Sequence, residues 1–279
     1  MNKTYILVLA ALTFSCTNHT EEPIENNLST TTIVLSSDIV WEKLNPARGE
    51  NSPQAGTIWG DRNGSVPTGF LAKFADGFSS PPHIHNVTYR AVVISGSIHN
   101  DDPEAKNMWM QPGSFWTQPQ GESHITSAKG SENIAYVEID SGPYLVKPIE
   151  EAFDNGERPI NIDASNIVWL NSDNTNWIDP KNNAEISFLW ESREDNPLKG
   201  LFIKLPKAFD GEIIHNGDIF HSVIISGELN LEIPDTGETT ILDAGSYFSA
   251  SSKTTHKVSN TSDDEIIVYV RTNGRVNVR

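Results

Sequence analysis

The feature that most constrains this chain is its internal repetition. Thr57-Ile58-Trp59 returns as Phe188-Leu189-Trp190. Gly69-Phe70-Leu71-Ala72-Lys73-Phe74 returns as Gly200-Leu201-Phe202-Ile203-Lys204-Leu205, and Val92-Val93-Ile94-Ser95-Gly96 as Val223-Ile224-Ile225-Ser226-Gly227, every pair 131 residues apart. Ile39-Val40-Trp41 has a further echo in Ile167-Val168-Trp169. A constant offset over that distance is the signature of a duplicated domain, and 279 residues suit two domains of ordinary size. The copies are expected over 32–150 and 160–279, joined by the Pro- and charge-rich stretch around Pro148 to Pro159.

Within each copy the apolar residues come in short β-branched or aromatic runs between Gly, Pro, Asn and Asp. Arg90-Ala91-Val92-Val93-Ile94, Ile134-Ala135-Tyr136-Val137-Glu138-Ile139 and Glu265-Ile266-Ile267-Val268-Tyr269-Val270 are examples. Several alternate with period two, and few long segments show a helical period. Many short strands at this spacing predict an all-β fold, a barrel or jelly roll in each half.

The first 31 residues read differently. Lys3 precedes an apolar run from Tyr5 to Phe14 that is too short to span a bilayer, which is the pattern of a signal peptide. The run ends at Leu12-Thr13-Phe14-Ser15-Cys16, and Cys16 is the only cysteine of the chain. This stretch resembles a bacterial lipobox, whose cysteine is acylated and becomes the new N-terminus, although Thr13 stands where such boxes usually carry Leu. The plainer alternative is an ordinary cleaved signal with a stray cysteine. Residues 17–31 are polar, acidic and Pro-containing, as a flexible tether would be. The expectation is an exported protein, lipid-anchored to the cell envelope. Its net charge of −17 makes nucleic acid a poor partner.

Chemistry concentrates in the first copy. His83-Ile84-His85 places two imidazoles on one face of a strand, where both can reach one ion, and Tyr89 shares their parity. Gly113 opens a later stretch in which Pro119 and Gly121 make a turn that delivers His124, 35 residues beyond Tyr89, to the same mouth. Three histidines with open positions suit a divalent first-row metal such as Fe, Zn, Mn or Ni.

These two stretches resemble the two motifs of the cupin superfamily. His83, His85 and Gly96 fit the first motif, and Gly113, Pro119, Gly121 and His124 match every fixed position of the second. The resemblance spans both copies and implies a bicupin: two tandem cupin-type jelly-roll barrels with a small-molecule ligand or substrate. Cupins often pair through sheet edges, so a homodimer is one option, and the oligomeric state stays open. One departure stands out, for Tyr89 occupies the place where cupins put a glutamate ligand. Three readings stay open there: a phenolate ligand, an acid/base beside the metal, or a three-His site completed by solvent. In the second copy, a shift of 132 carries His83, Tyr89 and His124 onto His215, His221 and His256, while His85 falls on Gly217. Either a second metal site persists on His215, His221 and His256, or that barrel has lost its metal and serves packing.

What the resemblance implies for function is metal-dependent lyase, isomerase or oxygenase chemistry on a small oxygenated molecule, with Tyr89 as ligand or general base. A carbohydrate or acidic sugar would suit an extracytoplasmic address. The alternatives are a non-catalytic surface lipoprotein that captures a sugar or metabolite, and a purely structural bicupin.

Overall fold

The computed structural model describes residues 31–279 apart from 107, 194, 196, 234 and 235; the expected signal peptide, tether and Cys16 lie outside the described residues. Among the described residues, strands dominate and no helix is long and apolar enough to cross a membrane.

In the first half, seven strands form one continuous sheet in the order Ile160–Ile162, Phe115–Gln118, Tyr89–Asp101, Ile125–Ile139, Thr68–Phe74, Gln54–Trp59 and Glu42–Lys43. Tyr89–Asp101 and Ile125–Ile139 are long enough to bend through both layers of the roll, with register shifts around Ser95 that permit the bend. Gly96 sits at that bend with φ +74°, and its counterpart Gly227 has φ +82°. A Cβ at Gly96 would stand 2.1 Å from Asn133 Oδ1, which explains why this landmark of the repeat is glycine. The second half divides the same path into a six-stranded and a five-stranded sheet, with Phe220–Ser226 and Leu229–Glu232 taking the course of Tyr89–Asp101.

Each half lends the other a strand. Thr31–Val34, at the start of the described chain, pairs antiparallel with Tyr247–Ala250 of the second half. Ile160–Ile162, which sequence assigned to the second copy, pairs with Phe115–Gln118 of the first. Both exchanges cover an edge that would otherwise expose unpaired backbone.

The short apolar runs read from the sequence are buried on both faces. Phe70, Ala72, Tyr89, Ala91 and Val93 point into the first barrel, whereas Leu71, Val92 and Ile94 pack in a layer between the barrels. Leu201, Ile203 and Ile224 fill the second barrel, and Phe202, Val223 and Ile225 turn to that same middle layer. Three apolar layers therefore stack through the molecule.

The middle layer encloses a polar centre. Glu138, fully buried, accepts from Tyr136 Oη (3.0 Å), Tyr269 Oη (2.7 Å) and Arg271 Nη1 (3.3 Å). Arg271 also donates to Asp140 (2.7 Å), which Arg90 reaches from the other side (3.0 Å). The two tyrosines are in turn held by Trp59 Nε1 (3.2 Å) and Trp190 Nε1 (2.9 Å). Those indoles lie against Gly69 and Gly200, where any Cβ would collide with the ring.

A buried ion pair that loses one partner leaves an uncompensated charge, at a cost of about 3–5 kcal/mol. Arg271→Met is expected to lower unfolding stability by that amount in chemical denaturation. The double variant Glu138→Gln/Arg271→Met should recover most of the loss; equal stability of wild type and the single variant would show that the pair contributes nothing.

Candidate metal centre

The three motif histidines meet. His83 and His85 project from one face of the strand His83–His85, and His83 exchanges both backbone hydrogen bonds with His124 (3.0 Å each). The second-motif turn docks through Gly121 N, which donates to His85 O at 2.9 Å. Ring centroids are 4.3 Å apart for His83–His124, 5.0 Å for His83–His85 and 5.2 Å for His85–His124. One nitrogen of each ring lies within 4.8 Å of the others, and all three residues are buried.

The tautomers are set by backbone. Nδ1 of His83 faces Pro81 O (2.9 Å), Nδ1 of His85 faces Leu145 O (3.2 Å), and Nδ1 of His124 faces Glu122 O (3.3 Å). A carbonyl oxygen only accepts, so each Nδ1 carries the proton and each Nε2 presents a lone pair. This is the arrangement that orients imidazoles for a metal, and the donor set fits a divalent first-row ion. Burial holds all three below the usual imidazole range. His124 is pulled down to about 3 by burial and by the charge His83 would carry, and His85 falls well below its ordinary value for the same reasons.

Two phenols border the cluster. Tyr89 Oη donates to Asn100 Oδ1 (3.0 Å) and receives Trp116 Nε1 (3.5 Å), with His124 Nε2 at 3.4 Å. Asn100 is fixed by Thr126 Oγ1 (2.8 Å) and by its own bond to Gln118 (2.9 Å), which anchors on Glu122 O (3.1 Å). Burial raises the Tyr89 phenol above its ordinary value, so its proton stays in place here. The second phenol, Tyr144, was not anticipated. It stacks on His85 (4.4 Å between centroids, 19°) and donates to His85 Nε2 at 3.2 Å, the nitrogen a metal would use. It belongs to neither motif; only its aromatic character in a loop marked it out.

In the second barrel His215 and His256 face the interior with the Phe220 ring between them, at 5.0 and 5.3 Å. His221 does not join them. It lies on the opposite face, stacked on Trp59 at 4.1 Å and bonded to Tyr247 Oη at 2.7 Å. The ladders explain this: Tyr89 opposes Gln118 as Phe220 opposes Ala250, so Phe220 is the counterpart of Tyr89. Offsets of 132 at His221 and 131 at Gly227 suggest a residue missing between them, but the ladders place the gap between Gly217 and Phe220, and that slip of one turns His221 outward. Among the described residues, the three-His cluster of the first barrel is the one group of this kind. Where the first barrel has Tyr89, Asn100, Gln118 and Thr126, the second has Phe220, Leu231, Ala250 and Val258, all part of its apolar core.

Buried neutral histidines make stability depend on pH. Burial brings His221 and His256 to about 4, and His124 to about 3. Between those values and the ordinary imidazole range the unfolded chain binds more protons, so stability falls as pH drops through that window, by up to about 1.4 kcal/mol per unit per histidine. Urea titrations of metal-free protein at pH 6.5 and pH 5 should differ by at least about 2 kcal/mol. Equal midpoints would contradict the burial of these rings.

Solved structures share the architecture. A Nostoc punctiforme protein provisionally assigned as a dioxygenase superposes with TM-score 0.64 at 15% identity, over 88% of this chain and 82% of its own. Lactobacillus farciminis oxalate decarboxylase, in its formate complex, gives 0.57 at 10% over 88% and 86%, and AerE from Microcystis aeruginosa 0.55 at 16% over 86% and 97%. At such identities the likeness is one of fold: two tandem cupin-type jelly-roll barrels, as the motifs implied. No curated protein sequence matches the chain. Residues 32–279 match DUF4437, a domain of unknown function, and the chain belongs to that family.

Proposed function

We propose that the protein is an exported, metal-dependent cupin enzyme acting on a small oxygenated molecule at its first barrel, with His83, His85 and His124 as the metal ligands. The observation that carries this reading is the convergence of three Nε2 lone pairs whose Nδ1 partners are backbone carbonyls. A bound divalent ion would supply Lewis acidity and a point of attachment for ligand oxygens. The chain itself contributes the rest. Tyr89 and Tyr144 hold protons at their Oη atoms beside the cluster, where either can serve a developing negative charge. Tyr144 has only His85 Nε2 as partner for its hydroxyl, so it is the phenol free to turn towards a ligand once a metal takes that nitrogen. Tyr89 is held by Asn100 and Trp116 and suits a fixed donor.

The neighbours' described activities, oxalate decarboxylase and a provisional dioxygenase, favour an enzyme over a purely structural duty. The apolar filling around His215 and His256 favours a supporting role for the second barrel. The signal-like apolar run from Tyr5 to Phe14, followed by Cys16, is what supports envelope attachment through lipid.

Elemental analysis of purified, dialysed protein tests the centre. One divalent transition metal per chain is expected, falling to background in His83→Ala and His124→Ala and unchanged in His256→Ala. Wild type without stoichiometric metal would sink the reading. For the anchor, Cys16→Ser should move the protein from the membrane fraction to the soluble extract; an unchanged distribution would refute lipidation at Cys16.

A further inference from the structure

Beside the histidines lies a cavity of about 300 Å3 with two properties that are unusual together. Its walls are mainly apolar and rich in aromatic rings, including Phe70, Phe74, Phe78 and Trp116, with Asn45, Ser80 and Thr126 as scattered polar groups. Among the described residues no aspartate or glutamate lines it, although the chain carries 37 of them. Arg48, exposed on the short 3-10 segment Pro46–Asn51 and lying over the Phe78 ring at 5.2 Å, is the one cationic side chain of the lining.

The charge balance follows from the donor set. Three imidazoles bring no charge to a divalent ion, and the side chain at the fourth position is Tyr89, whose hydroxyl is committed to Asn100. The metal's two positive charges would sit at the end of a mainly apolar chamber with no protein carboxylate to meet them. A buried charge without a partner is strongly unfavourable, so a ligand that brings its own anion is favoured there over a neutral one. The walls define the rest of that ligand. A sugar would set most of its hydroxyls against aromatic and aliphatic walls, with few polar groups such as Ser80, Thr126 and Tyr144 to bond them, a costly mismatch. Oxalate would leave most of the chamber empty. An apolar cavity of about 150 Å3 accommodates benzene, so this one takes a ring with a short side chain, roughly twelve non-hydrogen atoms.

Building on the metal-centre reading, we propose that the cavity binds a ring-bearing carboxylic acid, whose carboxylate supplies at the metal the negative charge that Tyr89 does not, while its ring packs among Phe70, Phe74 and Trp116. The ligand thereby completes the centre: metal and acid bind with positive cooperativity. Arg48 at the mouth draws anions towards an otherwise acidic molecule.

Cobalt(II)-loaded protein provides the test, since its visible spectrum and calorimetry both report ligand entry. The probes are 3-phenylpropionate, acetate, oxalate, gluconate and neutral 3-phenylpropan-1-ol. Phenylpropionate should bind at least tenfold more tightly than each of the others. Tyr89→Glu, which installs a protein carboxylate, should keep cobalt and weaken phenylpropionate at least tenfold. Phe74→Ser should weaken phenylpropionate and leave acetate unchanged. Equal binding of the alcohol removes the need for charge; equal binding of acetate, oxalate or gluconate removes the role of the walls; either overturns the proposal. Unaltered phenylpropionate binding by Tyr89→Glu does so too. Should Tyr89→Glu lose its near-ultraviolet circular dichroism, the wild-type probe series and Phe74→Ser decide alone. Failure of wild type to take up cobalt refutes the metal centre itself, whereas uptake without selectivity for the ring-bearing acid refutes only this ligand assignment.

Discussion

The pair formed by Glu138 and Arg271 is the contact on which the arrangement of the two barrels depends. The residues occupy equivalent places in the two repeats, Glu138 two residues beyond Tyr136 and Arg271 two beyond Tyr269. A carboxylate from one copy therefore meets a guanidinium from the other across a pseudo-twofold axis. Two copies of the first half would bring glutamate against glutamate, and two of the second arginine against arginine, at a site buried from solvent. Duplication with divergence at this one position makes the union of unlike halves strongly preferred. The tryptophans that bracket the tyrosines, and the glycines that let the indoles approach, extend the same constraint across the middle layer.

With the halves locked face to face, their interiors have taken different paths on one scaffold. The first barrel keeps a hydrogen-bonded string from Tyr89 through Asn100 and Gln118, which holds polar groups in place behind the histidines. The second replaces that string with phenylalanine, leucine, alanine and valine, and His256 is left with both ring nitrogens unpartnered. A site needs rigid support and a stable core needs apolar filling; here the two demands are met in separate barrels. The second barrel also serves the first directly, because His221 presses on Trp59, whose indole positions Tyr136 against Glu138.

Much of this was legible in sequence, for physical reasons. Repeated runs such as Val92-Val93-Ile94 and Val223-Ile224-Ile225 announced both duplication and strands. That these runs carry apolar residues on both faces follows from the barrels packing on each other, which a single strand cannot reveal. The three histidines were readable because strand parity and a Pro-x-Gly turn constrain where side chains point. The assignment of His221 fails to place it with its partners because parity flips with one residue, and the position of a deletion cannot be found by counting offsets alone. Tyr144 was invisible to motif spacing, since it reaches His85 from a loop after the last strand of the motif pair. The partnership of Glu138 and Arg271 was equally hidden, because it arises only once two copies face one another.

The exchanged strands carry a consequence for biogenesis. Thr31–Val34 is the first described strand to be synthesised, yet its partner Tyr247–Ala250 is made near the end. The first barrel likewise waits for Ile160–Ile162 before its own edge is closed. A nascent chain on the ribosome, or threading through an export channel, thus presents a nearly finished barrel with one open flank and a leading strand without a mate. The architecture favours a chain held extended until all of it is available, after which both barrels close in a single cooperative event. Export, as proposed from the N-terminal segment, would deliver the chain in that way, and the interlocking that hinders folding during synthesis would then suit folding after transport.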